Sequence, residues 1–466
     1  MDFLREVEMA GRIAEKVSSA GGRAYFVGGY VRDHLMGRPQ KDVDIEVHGI
    51  SPEQLRGILE SCGEVTRKGA SFGVFGLKHY GIDIAMPRRE RPTGIGHKDF
   101  AIEVDPWIGL EGAAGRRDFT VNAMMMDVLT GSVVDPYNGR TDLEEGILRH
   151  VSDRHFGEDP LRVLRAAQFA ARLGFSVAPE TLELCKKMDL SQLARERVWQ
   201  EMAKALLQAE KPSVFFEALR QMNQLSVWFP EAERLIGVQQ EPAFHPEGDV
   251  WTHTMRVLDA AAKMRSRAKE ALPFMLSALC HDFGKPEATE VIDGRIRAFG
   301  HETAGVAVAG RFVRRLTDEV KVLRYVLNMT KLHMRPGALC AQHAKDKAYM
   351  KLFDESVCPE DLLLLAAADR KGTGFSYDGE EDEAFLQERL KAYRTRMAEV
   401  YVTAGDLKKA GIRPGPVYSM ALAYAHKLHL AGVSYKEALS QTIAFAQRET
   451  EPGRGDHREE LAGDSA

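Results

Sequence analysis

Two hydrophobic periods divide the chain. Between residues 22 and 86 the apolar positions fall in short β-rich runs: Ala24-Tyr25-Phe26-Val27, then residues 43–47, 73–77 and 82–84. Asp42-Val43-Asp44-Ile45-Glu46-Val47 alternates polar and apolar residues, so it reads as a strand with both aspartates on one face. Residues 51–61, with Pro52 near the start and apolar spacing at Leu55, Ile58 and Leu59, read as a helix, and residues 1–19 as an amphipathic one. Alternating strand and helix predict a compact α/β module ending near residue 150. From Pro160 onward the period becomes almost wholly helical, over 160–173, 195–209, 212–224, 251–264, 272–283, 301–316, 318–331, 360–370, 383–401, 417–430 and 435–448. No internal repeat is evident. The stretch after Glu451, Pro-Gly-Arg-Gly-Asp and then charged and small residues, is expected to be disordered.

Composition narrows the setting. At 466 residues the chain has room for about three domains. Its 44% hydrophobic and 28% charged residues are ordinary for a soluble globular protein. A net charge of −5 gives no global sign of nucleic-acid binding, so a polyanionic partner requires a local basic face. The cysteines at 62, 185, 280, 340 and 358 form no CxxC pair, and neither a signal peptide nor an apolar run of membrane-spanning length is evident. A reducing, cytoplasmic setting away from membranes is expected.

The chemistry begins at Gly28-Gly29-Tyr30-Val31-Arg32-Asp33, followed by Asp42 and Asp44. Paired glycines bring backbone N–H groups close to an anion, and a helix starting near Val31 adds its positive dipole end. Two carboxylates of parallel outlook suit Mg²⁺, a hard cation that takes oxygen ligands. Together they point to a nucleoside triphosphate, against the plainer alternative of a surface turn and an acidic strand. Asp83, centred in a short apolar run, is a third carboxylate for the same cation, because a buried acid without a partner is costly. Arg88, Arg89 and Arg91 then open a glycine-rich stretch to Asp105, a candidate mobile loop whose cations suit a triphosphate or an RNA backbone. Downstream lies Arg116-Arg117-Asp118-Phe119-Thr120-Val121-Asn122-Ala123, a density of polar groups that packing alone does not explain.

These motifs, with Asp135-Pro136-Tyr137-Asn138-Gly139-x-x-Asp142-Leu143, stand in the order found in class II tRNA nucleotidyltransferases, the CCA-adding enzymes related to bacterial poly(A) polymerases. The resemblance covers about residues 22–210. It implies an α+β chain: a polymerase-beta-like nucleotidyltransferase head (1–150), then an all-α neck (151–236), body (237–378) and tail (379–450). It further implies in-line attack of the tRNA 3′-hydroxyl on the α-phosphorus with release of pyrophosphate. Asp42 and Asp44 would hold Mg²⁺, Asp83 would help activate the hydroxyl, and Gly28, Gly29 and Arg32 would hold phosphates. Arg88, Arg117, Asp118 and Asn122 would serve the triphosphate and ribose. Glu158-Asp159-Pro160-Leu161-Arg162 resembles the segment that reads the incoming base in place of a template. Cytosine and adenine both show an amino donor beside a ring-nitrogen acceptor, so the Asp159 acceptor and Arg162 donor fit both, whereas guanine and uracil reverse the order. Asp159 and Pro160 also suit a helix start, a reading that leaves Arg162 unexplained. Arg165, one turn on, is expected to face the nucleotide. Glu196, Arg197 and Glu201 are expected to tie neck helices together.

A second cluster follows. His253, His281-Asp282, His301, His333 and Asp369 resemble, in order, the metal ligands of HD-superfamily phosphohydrolases. Mixed imidazoles and carboxylates suit Ni²⁺, Mn²⁺, Fe or Zn²⁺ rather than Mg²⁺. His245, in Phe244-His245-Pro246-Glu247-Gly248-Asp249, is a candidate supporting residue. The same cluster occurs in a subset of the tRNA nucleotidyltransferases, where it implies phosphatase and 2′,3′-cyclic phosphodiesterase activity that repairs tRNA ends.

In the tail, Gly411-Ile412-Arg413-Pro414-Gly415-Pro416 before a helix is a candidate tRNA phosphate contact or an ordinary connection. Arg389, Lys391, Arg394, Arg396, Lys408 and Lys409 are candidates for the local basic face. The expected partners are the tRNA 3′ end, CTP and ATP, for a monomer or homodimer. The alternatives are an A-adding or CC-adding enzyme, a poly(A) polymerase, or an HD nucleotidase with a recognition-only head.

Overall fold

The computed structural model describes residues 3–40, 42–67, 74–92, 100–374 and 380–450; the terminal stretch expected to be disordered lies outside them. The chain forms two compact units, Met1–Glu233 with Arg315–Thr317, and Arg234–Arg314 with Asp318–Ala466.

In the first unit the apolar alternation becomes a seven-stranded sheet. Its strands are β1 (Arg23–Val27), β2 (Val43–His48), β3 (Val65–Arg67), β4 (Val74–Leu77), β5 (Ile82–Ala85), β8 (Met125–Asp127) and β9 (Val133–Val134), ordered β3-β4-β5-β2-β1-β8-β9. Only β2 and β5 run parallel, with Asp44 opposite Asp83 in register. Val43, Ile45, Val47, Ile82 and Ile84 point to one face and are buried against helices Phe3–Ser19 and Pro52–Glu60 through Met9, Ile13, Val17, Leu55 and Leu59. The strand period of two therefore leaves Asp44, Glu46 and Asp83 together on the opposite face.

Three expectations are corrected. The Arg-rich stretch is not a loop at its flanks. Residues Arg88–Pro92 (β6) and Phe100–Val104 (β7) pair antiparallel, because backbone pairing with a partner strand overrides weak local propensity; residues 93–99 lie outside the described set. The first phosphate-turn helix starts at Gly29 rather than near Val31, since Gly28 takes φ 65°, a left-handed conformation that ends the strand and that glycine adopts without strain. The neck is not purely helical: Ile147–Leu148 (β10) pairs parallel with Ser176–Val177 (β11). Its main helix, Leu161–Leu173, carries Phe169 against the buried Phe119 at a ring distance of 5.8 Å.

Among its described residues the second unit is helical except for one hairpin, Glu290–Ile292 (β12) with Arg295–Arg297 (β13). Helices Val250–Ala262, Ala271–Cys280 and Pro359–Gly372 pack together, and helices start at His301 and end beside His333. A Cβ on Gly284 would stand 2.0 Å from the His301 carbonyl oxygen, so only glycine lets the His281-Asp282 turn approach the His301 helix. In the tail, Arg394 pairs with Glu360, Arg389 with Asp346, and Arg396 donates to the Leu430 carbonyl, so these three arginines serve internal contacts.

Candidate active sites

The polar face of β2 and β5 opens into a cavity of about 630 Å³, lined by Asp44, Asp83, Arg88, Arg117, Asp118, Asp159, Arg162, Arg165 and others. A second cavity, about 770 Å³, shares Asp44, Arg117, Asp118 and Arg165 and adds Gly28, Gly29, Arg32, Asp42 and Asn122. Thus the glycines, aspartates, Asn122 and Arg32, Arg88, Arg117, Arg162 and Arg165 expected to serve metal or nucleotide all line one or both cavities, with Asp44 at the junction. Asp42 is exposed, while Asp44 and Asp83 are half-buried. Among the described residues, no trio of head carboxylates gathers ligand atoms within 4.8 Å of one another. The oxygen-only donor set at the cavity suits a hard divalent cation such as Mg²⁺.

A buried hydrogen-bonded chain organises this face. Arg32 donates to the Asn122 amide oxygen at 2.7 Å, and Asn122 Nδ2 donates to Asp118 at 3.0 Å. Arg165 Nε donates to the other Asp118 oxygen at 2.8 Å, and the Phe119 N–H reaches the first at 2.8 Å. Burial raises the Asp118 pKa, but the Arg165 charge and these donors outweigh it and hold the carboxyl below its ordinary value. Arg117 is placed by Glu46 at 3.1 Å, and Glu46 also meets His48 at 3.0 Å.

The side chains of Asp159 and Arg162 turn to other partners, while the Arg162 N–H donates to the Asp159 carbonyl at 3.0 Å. Asp159 accepts from the Leu161 N–H at 3.0 Å and from Arg197 at 2.8 Å. Arg162 donates Nη1 to the His155 carbonyl at 2.6 Å and Nη2 to that of Arg116 at 2.7 Å. Desolvation pulls the Arg162 pKa down from its ordinary value. Sequence reasoning passed over Arg197 as a partner of Asp159, and over Arg172 and Lys204, which line the second cavity. The signal available for the latter two was their helical spacing from Arg165 and Glu201.

In the second unit the six predicted ligands converge. One set of three ligand atoms comes from His253, His281 and Asp369, another from Asp282, His301 and His333, each within 4.8 Å. His253 Nε2 lies 2.9 Å from Asp369 and 3.4 Å from His281 Nε2. Asp282 lies 3.2 Å from His281 Nε2 and 3.3 Å from that of His301, so it adjoins both sets. The ring tautomers follow from their outer partners. Nδ1 of His281, His301 and His333 faces the carbonyls of Ala278, Ala298 and Thr330 at 2.9, 2.7 and 2.7 Å. A carbonyl only accepts, so each Nδ1 carries a proton and each Nε2 turns inward, as a lone pair wherever the ring is neutral. His253 Nδ1 faces Glu247 at 2.7 Å, and Glu247 also bonds His245 at 2.8 Å, a support that the sequence suggested only through His245. Burial pushes the His333 pKa down to about 4. Burial also disfavours a charged His253, yet its bonds to Asp369 and Glu247 win and push its pKa up to about 9. Converging imidazole nitrogens and carboxylates fit transition-metal ions.

Residues 24–149 match the family model described as the Poly A polymerase head domain, and residues 174–236 that described as Probable RNA and SrmB-binding site of polymerase A. The Multifunctional CCA protein of Actinobacillus pleuropneumoniae serotype 5b (strain L20) is 38% identical over 363 residues, 75% of this chain and 85% of the relative. That of Alkalilimnicola ehrlichii is 37% identical over 404 residues, 84% and 93% of the two chains. The chain belongs to the multifunctional CCA protein family. Its fold is also that of the Bacillus stearothermophilus CCA-adding enzyme, crystallised in complex with CTP, with a TM-score of 0.65, 21% identity and coverage of 95% of this chain and 98% of the other. The Thermotoga maritima CCA-adding enzyme complexed with tRNA gives a TM-score of 0.59 at 19% identity, over 95% and 96%. For this member of the family, no helix among the described residues is long and apolar enough to cross a membrane.

The Asp118–Arg165 pair yields a pH prediction. The folded-state pKa is lowered, so the stabilisation is complete above the ordinary value, about pH 4, and is lost as the pH falls through the folded value. Asp118→Asn is expected to cost the first unit about 2–4 kcal/mol at pH 7, somewhat less than a wholly buried pair because Arg165 is partly exposed. Urea titrations read by hydrogen-exchange mass spectrometry of residues 116–173 should show this gap narrow below about pH 4. An equal gap at all pH values would rule out the carboxylate as its source.

Proposed function

We infer that this chain adds CCA to the 3′ end of tRNA, taking CTP and ATP without a nucleic-acid template. The observation that carries the reading is that one cavity is lined by both the Asp44/Asp83 pair and the Asp159/Arg162 pair. In this reading Arg32, Arg117 and the backbone of Gly28 and Gly29 hold the triphosphate. Asp118 and Asn122 orient Arg165 and Arg32 rather than bind nucleotide directly. Asp42 and Asp44 would hold Mg²⁺, which when bound supplies charge neutralisation and a lowered hydroxyl pKa. Asp83, directly opposite Asp44, positions the tRNA 3′-hydroxyl for in-line attack.

The carbonyls of His155 and Arg116 occupy two of the five N–H groups of Arg162 and set its plane. The remaining donors are available to the ring nitrogen of cytosine or adenine. Asp159, clamped by Leu161 and Arg197, accepts from the exocyclic amine.

The second unit is proposed to be a phosphohydrolase that acts on tRNA ends. His253, His281, Asp369, Asp282, His301 and His333 would hold a pair of transition-metal ions, Ni²⁺ among them, which when bound activate water toward a phosphate ester. The inward Nε2 atoms support this reading. Glu247 holds His253 in its ligating orientation, and Lys285, 2.7 Å from Asp282, offers a cation to the ester.

Two outcomes test these assignments. Given tRNA that lacks its last three nucleotides, the parent chain should incorporate C, C and A, read by end sequencing with each NTP singly and together. Asp44→Ala should lower incorporation at least a thousandfold with an unchanged circular dichroism spectrum, whereas Asp159→Ala should incorporate UTP and GTP as well. Retained specificity in Asp159→Ala sinks the base-reading assignment. Separately, a 2′,3′-cyclic nucleotide should be hydrolysed with Ni²⁺ or Mn²⁺ but not after chelation, and His281→Ala should abolish that turnover while leaving CCA addition intact. No turnover across a metal panel would reduce the cluster to a structural role.

A further inference from the structure

The ligand cluster of the second unit forms only one wall of a cavity of about 560 Å³. That volume is several times what a phosphate group needs and falls in the range of small-molecule sites. Asp282, His301, His333 and Asp369 line its floor, and Lys285 stands beside them. Away from this polar floor the lining is largely apolar and carries two aromatic rings, Phe244 and Phe299. Both rings are about 70% exposed, an unusual state for two phenylalanines on one cavity. Neither is needed by the core.

Their positions are built. Phe244 sits in the turn that also supplies His245 and Glu247, and its N–H donates to the Glu241 carbonyl at 3.0 Å. Phe299 follows the β12–β13 hairpin two residues before His301. The two segments are tied together, because the Ile296 N–H donates to the Glu241 carboxylate at 3.0 Å. The guanidinium of Arg297 lies 5.3 Å from the centre of the Phe299 ring. Exposed rings with an arginine alongside are what a nucleobase stacks on, whatever its identity.

We propose that Phe244 and Phe299 form the platform on which the base of the nucleotide stacks in this cavity. The ester meets the ligand cluster and Lys285, and the base stacks on the aromatic wall. The proposal rests on the phosphohydrolase reading above, which places the ester and assigns no residue to the base. Stacking tolerates every base, so the platform selects for a nucleoside without selecting among nucleosides. The same chemistry is offered by a free mononucleotide and by the last nucleotide of an RNA.

The test compares nucleoside 2′,3′-cyclic phosphate, a short RNA ending in 2′,3′-cyclic phosphate, and base-free glycerol cyclic phosphate on the full Ni²⁺-loaded chain. In Phe244→Ala and Phe299→Ala, KM for both nucleoside substrates should rise roughly tenfold, with kcat and bound Ni²⁺ unchanged. The glycerol ester should be unaffected, and Phe299→Trp should restore the parent KM. A rise confined to the RNA, or to the mononucleotide, identifies which source uses the platform. Equal losses on the glycerol ester, or no change on any substrate, overturn the proposal. If the parent hydrolyses nothing, the phosphohydrolase reading fails, and photolabelling with 8-azidoadenosine 2′,3′-cyclic phosphate decides the platform alone. Label on peptides containing Phe244 or Phe299, lost in the double variant, supports it; label confined to residues 1–233 overturns it.

Discussion

The buried carboxylate of Asp118 is the interaction on which the first site depends. It joins its own segment, including the neighbouring Phe119 N–H, to two that the sequence places far away: the phosphate turn at Arg32 through Asn122, and the neck helix through Arg165. A desolvated anion tolerates no loss of partners, so each contact constrains the others. The carboxylate face of the head and the first turns of the neck helix are therefore tied to one group. Arg165 lines both cavities while two of its nitrogens pair with this anchor.

The two sites differ in what holds them before any metal binds. In the head, strand periodicity alone brings Asp44 beside Asp83, and Asp42 stays exposed at the strand entrance. Partly exposed carboxylates suit a hard cation that keeps water ligands. In the second unit, carbonyl partners orient three imidazoles so that their Nε2 atoms converge. In the proposed reading such a site would bind its ions as part of the fold. One chain would then keep two metals separate by donor chemistry rather than by affinity.

Much of this was legible because it follows from short-range periodicity. The long helices match the apolar spacing to within a few residues, and the strand faces follow from alternation at Val43, Ile45 and Val47. The members of the imidazole–carboxylate cluster were legible by residue type and order. What escaped were contacts that depend on geometry across the chain. Nothing near Arg197 announces Asp159 as its partner, 38 residues away. The β6–β7 pairing was hidden because the arginines of β6 resemble a loop, and strand pairing there depends on a partner rather than on local propensity. Phe244 and Phe299 read as ordinary apolar residues until the fold left both on an open wall.

Selection without a template adds one further demand on the neck. Rejecting a wrong base depends on leaving buried donors and acceptors unpaired, a penalty that disappears if the protein groups can turn to suit. Asp159 is held by a backbone N–H and by Arg197, and Arg162 by two carbonyls that cannot donate. Neither group can present the reversed pattern that guanine or uracil needs without breaking bonds within the protein. Cytosine and adenine present the same donor–acceptor order despite their different size. In the proposed base-reading role, rigidity of the pair, with room in the cavity around it, would therefore admit both correct bases and exclude both wrong ones.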